Sequence, residues 1–430
     1  MRGALKHRNF RLYFMGQGVS LIGTWMQQVA MTWLVYRLSG SGLLLGVVGF
    51  CSQIPSFFLA PLAGVYTDRW NLHRTIIATQ TLALLQAAVL AVLALSGTAA
   101  VWHVVLLSIF MGTVMAFDVP ARQSFLIQMV EGREELASAI GLNSSMFNGA
   151  RLVGPAVAGF LIAATSEGVC FLLNALSYLA VLAALLAMRL APREAAPPHP
   201  RVLRELREGF AYAFGFPPIR EILLLLVVVN LAAIPLTLVL LPIFTKVILH
   251  GGPDTLGLLT ASMGCGALLG ALRLAFRKSV LGLGRQIAWA GALFGLGLIA
   301  FSFSTALWLS MPLLVISGFM LMMETAASNT VVQTIVDDAK RGRVMSFYAM
   351  AFFGVAPLGS LLAGGLAVRW GAPRVVQIAG AMCVVASALF ALRLPVIREH
   401  VRPIYRRIGI LPDVTSGIAT VADCSVEEGE

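Results

Sequence analysis

The spacing of charges constrains this chain more than any other feature. Residues 12–36 and 38–67 carry no charge, and 75–117 is a charge-free run long enough for two helices, with a break at Ser96-Gly97-Thr98. Further runs cover 136–166 (interrupted only by Arg151), 168–188, 222–245 and 255–272. The stretch 286–323 again holds two helices, turning near Ser304-Thr305, and 344–368 and 375–392 complete the series. Each segment is near the roughly 20 residues that a helix needs to cross a bilayer. Twelve transmembrane helices are expected. Composition agrees: 12% of the 430 residues are charged and 58% are hydrophobic, whereas a soluble domain is about a quarter charged. Too few polar side chains exist to clothe a water-soluble surface, so the fold class is an all-α membrane protein embedded in a lipid bilayer.

Basic residues orient the spans. If the N-terminus is cytoplasmic, 26 of the 31 Lys and Arg fall in cytoplasmic segments, four (Arg37, Lys246, Arg369, Arg374) fall outside, and Arg151 lies within a span. The positive-inside rule then places both termini in the cytoplasm of a plasma-membrane protein. The same rule accounts for the net charge of +11, so no nucleic-acid partner is expected. Cysteines 51, 170, 265, 383 and 424 stand singly and imply neither a disulfide framework nor a metal site.

The longest internal loop divides the spans six and six. Residues 1–190 form an N-terminal bundle, 191–220 a cytoplasmic linker, 221–395 a C-terminal bundle and 396–430 a cytoplasmic tail. The linker opens with Pro192, Pro197, Pro198 and Pro200. It continues with Leu203, Leu206, Phe210 and Phe214 at helical spacing opposite Arg204, Arg207 and Glu208, an interfacial amphipathic helix. The halves echo each other: Asp118 in FDVPARQSFLIQMV corresponds to Glu324 in METAASNTVVQTIV, and GPAVAG (154–159) to APLGSL (356–361). Such repeats are a transporter signature, with the substrate site expected between the halves.

Polar side chains in spans mark interior faces or a wet cavity. Gln17, Ser20, Thr24, Gln27 and Gln28 fall in one arc of the first span, about 100° wide at helical pitch. They either line the cavity or hold helices together. On the fifth span Ser144, Asn148, Arg151 and Pro155 share a face. A membrane-buried Arg costs about 2.5–3.5 kcal/mol on insertion scales. Arg151 is therefore either a binding or gating cation in the cavity or a permanent partner of Asp118. Ser317, Glu324 and Ser328 share a face. Glu324 is either a cavity-facing proton carrier or one half of an ion pair with Arg277 or Lys278. Gly42-xxx-Gly46, Gly266-xxx-Gly270 and Gly291-xxx-Gly295 allow close helix approach. Pro55, Pro61, Pro155, Pro235, Pro242 and Pro357 are expected kinks. Trp25, Trp33 and many methionines and phenylalanines suit a large amphipathic ligand, and Arg151 suits an anionic or phenolate group, although packing alone would also explain them.

Gly64-Val65-Tyr66-Thr67-Asp68-Arg69, followed by Arg74, resembles the loop signature between the second and third helices of the major facilitator superfamily. Gly154-Pro155 and Gly159 resemble its fifth-helix antiporter motif. LIGTWMQQVAMTWLVYRLSGSGLLLGVVGF, PLAGVYTDR, DVPARQSFL and RGRVMSFYAM resemble the branch that contains the enterobactin exporter and macrolide-efflux carriers. The resemblance runs through most of residues 5–395. It implies two pseudo-symmetric six-helix bundles and export of amphipathic organic molecules in exchange for protons. It also implies a cytoplasmic gate in which Asp68 sits at the positive N-terminal end of the eleventh span and Arg74 pairs with Asp118. The sequence departs from the usual loop at Asn71-Leu72-His73, where more basic residues are common.

A monomeric carrier of a siderophore-like or drug-like small molecule, needing no cofactor, is the leading expectation. Uptake or lysophospholipid flipping on the same fold, and a non-transporting membrane sensor, are the alternatives. An intramembrane enzyme is disfavoured, since H-E-x-x-H, G-x-S-x-G and GK[ST] are all absent.

Overall fold

The computed structural model describes residues 3–67, 70–130, 133–188, 211–277, 279–337 and 340–411, and all regular structure within them is helical. The expected linker helix lies outside the described residues except for its end at 211–215, which is helical, and the tail beyond 411 lies outside them entirely. The helices of the first half are α1 (Arg8–Ser39), α2 (Gly42–Thr67), α3 (Leu72–Leu95), α4 (Val101–Ile127), α5 (Arg133–Ala164) and α6 (Glu167–Leu186). The second half contributes α7 (Pro217–Val247), α8 (Pro253–Ala275), α9 (Leu283–Ser302), α10 (Leu307–Ile335), α11 (Arg341–Trp370) and α12 (Ala372–Arg407). Among the described residues, eleven segments are long and apolar enough to cross a membrane, and they are α2 to α12. α1 is long enough at 32 residues, but its glutamines and serines lower its hydropathy. An apolar belt faces outward, with side chains such as Val92, Phe160, Trp308 and Leu392 largely exposed, as lipid-facing residues should be.

Local chemistry sets the breaks. α1 ends at Gly40, whose left-handed backbone (φ 61°) lets its N–H bond the Tyr36 carbonyl, a conformation that costs glycine nothing. α3 starts with the Asn71 side chain accepting from the Arg74 backbone N–H at 3.1 Å. Prolines act unequally. α5 continues through Pro155, and Pro235 is followed by a π turn at Leu236–Leu240. α11 is interrupted at residues 354–355, just before Pro357. A missing amide and a ring clash weaken the helical ladder at such points.

The contacts of the first half recur in the second. α1 packs on α6 and α5, α2 on α4, and α3 on α6 and α4; correspondingly α7 packs on α12 and α11, α8 on α10, and α9 on α12 and α10. The halves meet through two further pairs, α5 with α8 and α2 with α11, which exchange under the same pseudo-symmetry. This is the arrangement of two six-helix bundles. All three glycine pairs noted in the sequence lie at helix crossings. Gly42 and Gly46 abut Gly364 and Ser360 of α11, Gly266 and Gly270 abut Val315 and Phe319 of α10, and Gly291 and Gly295 abut Ser387 and Gly380 of α12. Successive helices alternate in direction. Residue 3 and the end of α12 therefore share one face, here the terminal face, and the tight turns at Gly40, Gly97 and Gly371 lie on the opposite, distal face.

Candidate functional site

Along α5 and α8 the two bundles touch near the distal face and stand apart, among the described residues, near the terminal face. Gly141 and Gly159 point in the same direction from α5, being five full turns apart. A side-chain carbon at Gly159 would meet the Pro253 carbonyl at 2.7 Å and the Gly257 Cα at 2.8 Å, whereas one at Gly141 would meet nothing within 4 Å. The same strip of α5 is thus pressed on α8 near the distal face and free among the described residues near the terminal face. Contact begins at mid-helix, where Gly264 of α8 lies against the Arg151 carbonyl. A cavity of about 360 Å³ opens on the distal side among Tyr36, Ile243, Val247, Val368 and Pro373. It is mainly apolar and remote from Arg151.

Arg151 sits where the bundles begin to part. Its guanidinium carbon lies 5.7 Å from the centroid of the Trp25 ring, and Trp25 meets Phe147 edge-on at 5.8 Å. No carboxylate pairs with Arg151 among the described residues. Trp25 continues the site to Gln28 and Thr32 of α1, Thr237 of α7 and Thr260 of α8. One turn before Arg151, Asn148 is 6% exposed. Its amide donates to the Ser144 carbonyl at 2.9 Å, and its buried Oδ1 has no partner. Trp25, Gln28, Asn148 and Arg151 are therefore brought together from two helices.

The polar arc of α1 splits. Gln28 faces the cleft, but Gln27 turns into the first bundle, where its Nε2 donates to Gln86 at 2.9 Å and its Oε1 accepts from Asn174 at 2.8 Å. Thr24 also faces inward, bonding the Ser20 carbonyl and approaching the Tyr178 hydroxyl at 3.5 Å. Gln17 is buried and its Oε1 is unpaired. The reason is geometric: an arc 100° wide reaches both the bundle interior and its edge, and α6 covers the side that carries Gly16 and Gly23.

The two buried acids differ in their surroundings. Asp118 is 0% exposed and accepts from Thr79 Oγ1 at 2.7 Å and Gln80 Nε2 at 2.8 Å. Its other oxygen pairs with Arg122, one turn further along α4. The expected pairs with Arg151 and with Arg74 are not formed; Arg74 is exposed. Glu324 is also 0% exposed. It accepts from Ser328 at 3.0 Å and from Thr325 at 3.3 Å, beside Gly291 and Ser387. It therefore faces α9 and α12 inside the second bundle, not the central cleft, and it forms no pair with Arg277, which bonds Gln286 and two backbone carbonyls. Lys278 lies outside the described residues.

Of the other gate residues, Asp68 and Arg69 lie outside the described residues, and Gly64 is described only as part of α2. The fifth-helix motif divides its contacts: Gly154 lies against Trp25 and Ile22 of α1, while the Pro155 carbonyl and Gly159 lie against Gly257 of α8. Sequence reasoning missed Arg122, Thr79, Gln80, Gln86, Asn174 and Ser387. Asp118 and Arg122 carried a visible signal in their i, i+4 spacing. Thr79, Gln80, Gln86 and Asn174 are single polar residues with partners on other helices, and the buried Ser387 hydroxyl has none among the described residues.

The family described as transmembrane secretion effector matches residues 3–406. The staphyloferrin A transporter of Staphylococcus aureus is 25% identical over 88% of this chain and 95% of its own length. The multidrug efflux pump Tap of Mycolicibacterium fortuitum is 27% identical over 79% and 84%. Among solved structures, a bacterial homologue of the iron transporter ferroportin in an inward-facing state superposes with a TM-score of 0.69 at 15% identity, covering 89% of this chain and 98% of that one. With the fold, the polar cleft and a match running through both bundles, this chain belongs to the transmembrane secretion effector family within the major facilitator superfamily of transporters.

Proposed function

We propose that this protein is a proton-coupled exporter of amphipathic small molecules, acting as a monomer with twelve spans and both termini in the cytoplasm of a plasma membrane. Residues 1–190 and 221–395 are its two rocking units. The observation that carries the reading is the α5 strip, clamped on α8 at Gly159 and free at Gly141. Two bundles joined along glycine-lined contacts on one side can part there and close on the other. That motion exposes Trp25, Gln28, Asn148 and Arg151 alternately to the two faces. In the state described, the cleft opens to the terminal face, which the basic-residue count assigns to the cytoplasm. The names of the relatives, which cover a siderophore and drugs, support the substrate size.

Glu324 is the proton site in this proposal. Asp118 has its counter-charge at Arg122, one turn along the same helix. The corresponding position after Glu324 is Ser328, which offers a hydroxyl in place of a cation. A carboxyl group without a counter-charge in a buried site exchanges a proton more readily than one held in an ion pair. Asp68, Arg69, Arg74 and Gly64 are assigned to the cytoplasmic gate. Asp118 with Arg122 forms its fixed foundation rather than a moving latch.

The test is flux in proteoliposomes. Wild-type protein should move an amphipathic dye against its gradient when a pH difference is imposed. Glu324→Gln should lose that uphill movement yet keep dye-for-dye exchange. Uphill transport of equal rate in Glu324→Gln would remove Glu324 from the mechanism, and absence of any exchange in wild type would remove the carrier reading.

A further inference from the structure

We infer that Arg151 and Trp25 form an anion-recognition site, so that the preferred ligand is an aromatic or apolar molecule bearing a carboxylate, phenolate or similar anion. The inference rests on the carrier reading above and gives it a substrate class.

Three observations point the same way. First, Arg151 is a cation set in mid-helix of a membrane span, and no acid among the described residues neutralises it. The contrast with Arg122 is direct: the same residue type one helix earlier lies against Asp118, and Arg37 at the distal face holds Glu167 at 2.7 Å. Arg122 and Arg37 each have a carboxylate partner, and Arg151 has none among the described residues. A guanidinium left in this state gains most from a ligand that brings the missing charge, and its flat fork of donors matches carboxylate geometry.

Second, Asn148 lies three residues earlier on the same face. Its amide is spent on the Ser144 carbonyl, which leaves a buried Oδ1 that can only accept and has no donor among the described residues. A ligand with a hydroxyl or N–H close to its anionic group would gain a further hydrogen bond there. Third, the surroundings suit an apolar body. Trp25 lies under the guanidinium and Phe147 stands edge-on to it, and the polar groups nearby, Gln28, Thr32, Thr237 and Thr260, carry no charge. Cationic amphiphiles would meet the guanidinium as a like charge and leave Asn148 Oδ1 as their only new partner.

The experiment uses the full-length protein purified in detergent and three ligands of one shape: 1-naphthaleneacetate, its neutral amide, and 2-(1-naphthyl)ethylammonium. Equilibrium binding of each is measured. Wild type should bind the anion at least about tenfold tighter than either analogue, the ratio expected of a charge-assisted hydrogen bond in a poorly hydrated site. Arg151→Gln should bring the three affinities to within about threefold, a residual expected when no charge-assisted bond remains. Its retained affinity for the amide reports that the site is still folded. Asn148→Asp places a carboxylate one turn from Arg151 and supplies the missing counter-ion internally, so it should abolish the anion preference while stabilising the helix pair. It serves as the independent variant if Arg151→Gln does not fold. Trp25→Phe should weaken all three ligands alike. Equal binding of the three by wild type, an anion preference that survives Arg151→Gln or Asn148→Asp, or no saturable binding of the anion would overturn the inference. Counterflow in proteoliposomes separates this from the carrier reading: selective binding without exchange sinks the carrier alone, and exchange of all three at equal rates sinks the anion site alone.

Discussion

Gly159→Ala is the most direct perturbation of the distal seal. The added carbon would meet three atoms of α8 and its approach: the Pro253 carbonyl at 2.7 Å, Gly257 Cα at 2.8 Å and Asp254 Cα at 3.1 Å. All three belong to backbone, so no side chain can swing aside. Ordinary contact begins near 3.4 Å, so α5 and α8 must separate by about 0.7 Å for the methyl group to fit. Overpacking of this kind costs about 1–3 kcal/mol. The cost falls only on the state in which α5 and α8 touch, and it therefore shifts the balance towards the distally open state by about 5- to 150-fold. Gly141→Ala is the control. It points the same way from the same helix into open space and should add only its helix propensity, about 1 kcal/mol, to both states. Spin labels at Thr98 and Thr305, exposed on distal turns of the two bundles, would report the change in a background freed of native cysteines. Gly159→Ala should gain a population at longer distance that Gly141→Ala lacks. Identical distance distributions for the two variants would refute the seal.

Three further outcomes are expected. Asp118→Asn leaves the partly buried Arg122 without its counter-charge, at a cost of about 3 kcal/mol; folded yield should fall, and adding Arg122→Gln should recover part of it, a recovery whose absence would show that the pair is not the issue. Gly266→Ala would drive a methyl group into the Val315 carbonyl of α10, so the melting temperature of the purified protein should fall by several degrees, as expected for about 1–3 kcal/mol of overpacking; an unchanged melt would mean that the α8–α10 crossing is looser than described. Asp68→Asn should insert normally and slow flux in proteoliposomes, and wild-type flux would exclude it from the gate.

Much of the fold was legible because a bilayer simplifies the reading. A backbone in lipid must satisfy its own hydrogen bonds, so a charge-free run of adequate length can only be a helix. Gly266-xxx-Gly270 and its counterparts were readable as crossings for a similar reason, since small residues are what allows helices to touch. Prolines were less informative. Pro155 and Pro235 occupy comparable positions in apolar runs, yet of the two only Pro235 is followed by a π turn.

The candidate site was legible in part. Arg151, Asn148, Trp25 and Gln28 stood out as polar or amphipathic groups at one depth, and they do converge. Thr24, Gln27 and Glu324 stood out equally and face into their own bundles. Helical periodicity gives a residue's direction around its own axis but not which neighbour stands there. Asp118 shows the same limit: Arg74 and Arg151 were the expected partners, and Arg122, one turn further along the same helix, holds it.

From residues alone follow the lipid setting, the helical class, the twofold repeat of six helices and the membership suggested by its motifs, because each depends on local hydrophobicity and spacing. Tertiary structure alone decided which buried charges are neutralised, that Glu324 and Arg151 lie in separate compartments, and that the bundles are shut on the distal side. Those properties depend on distances between helices far apart in the chain, which periodicity along any one of them does not encode.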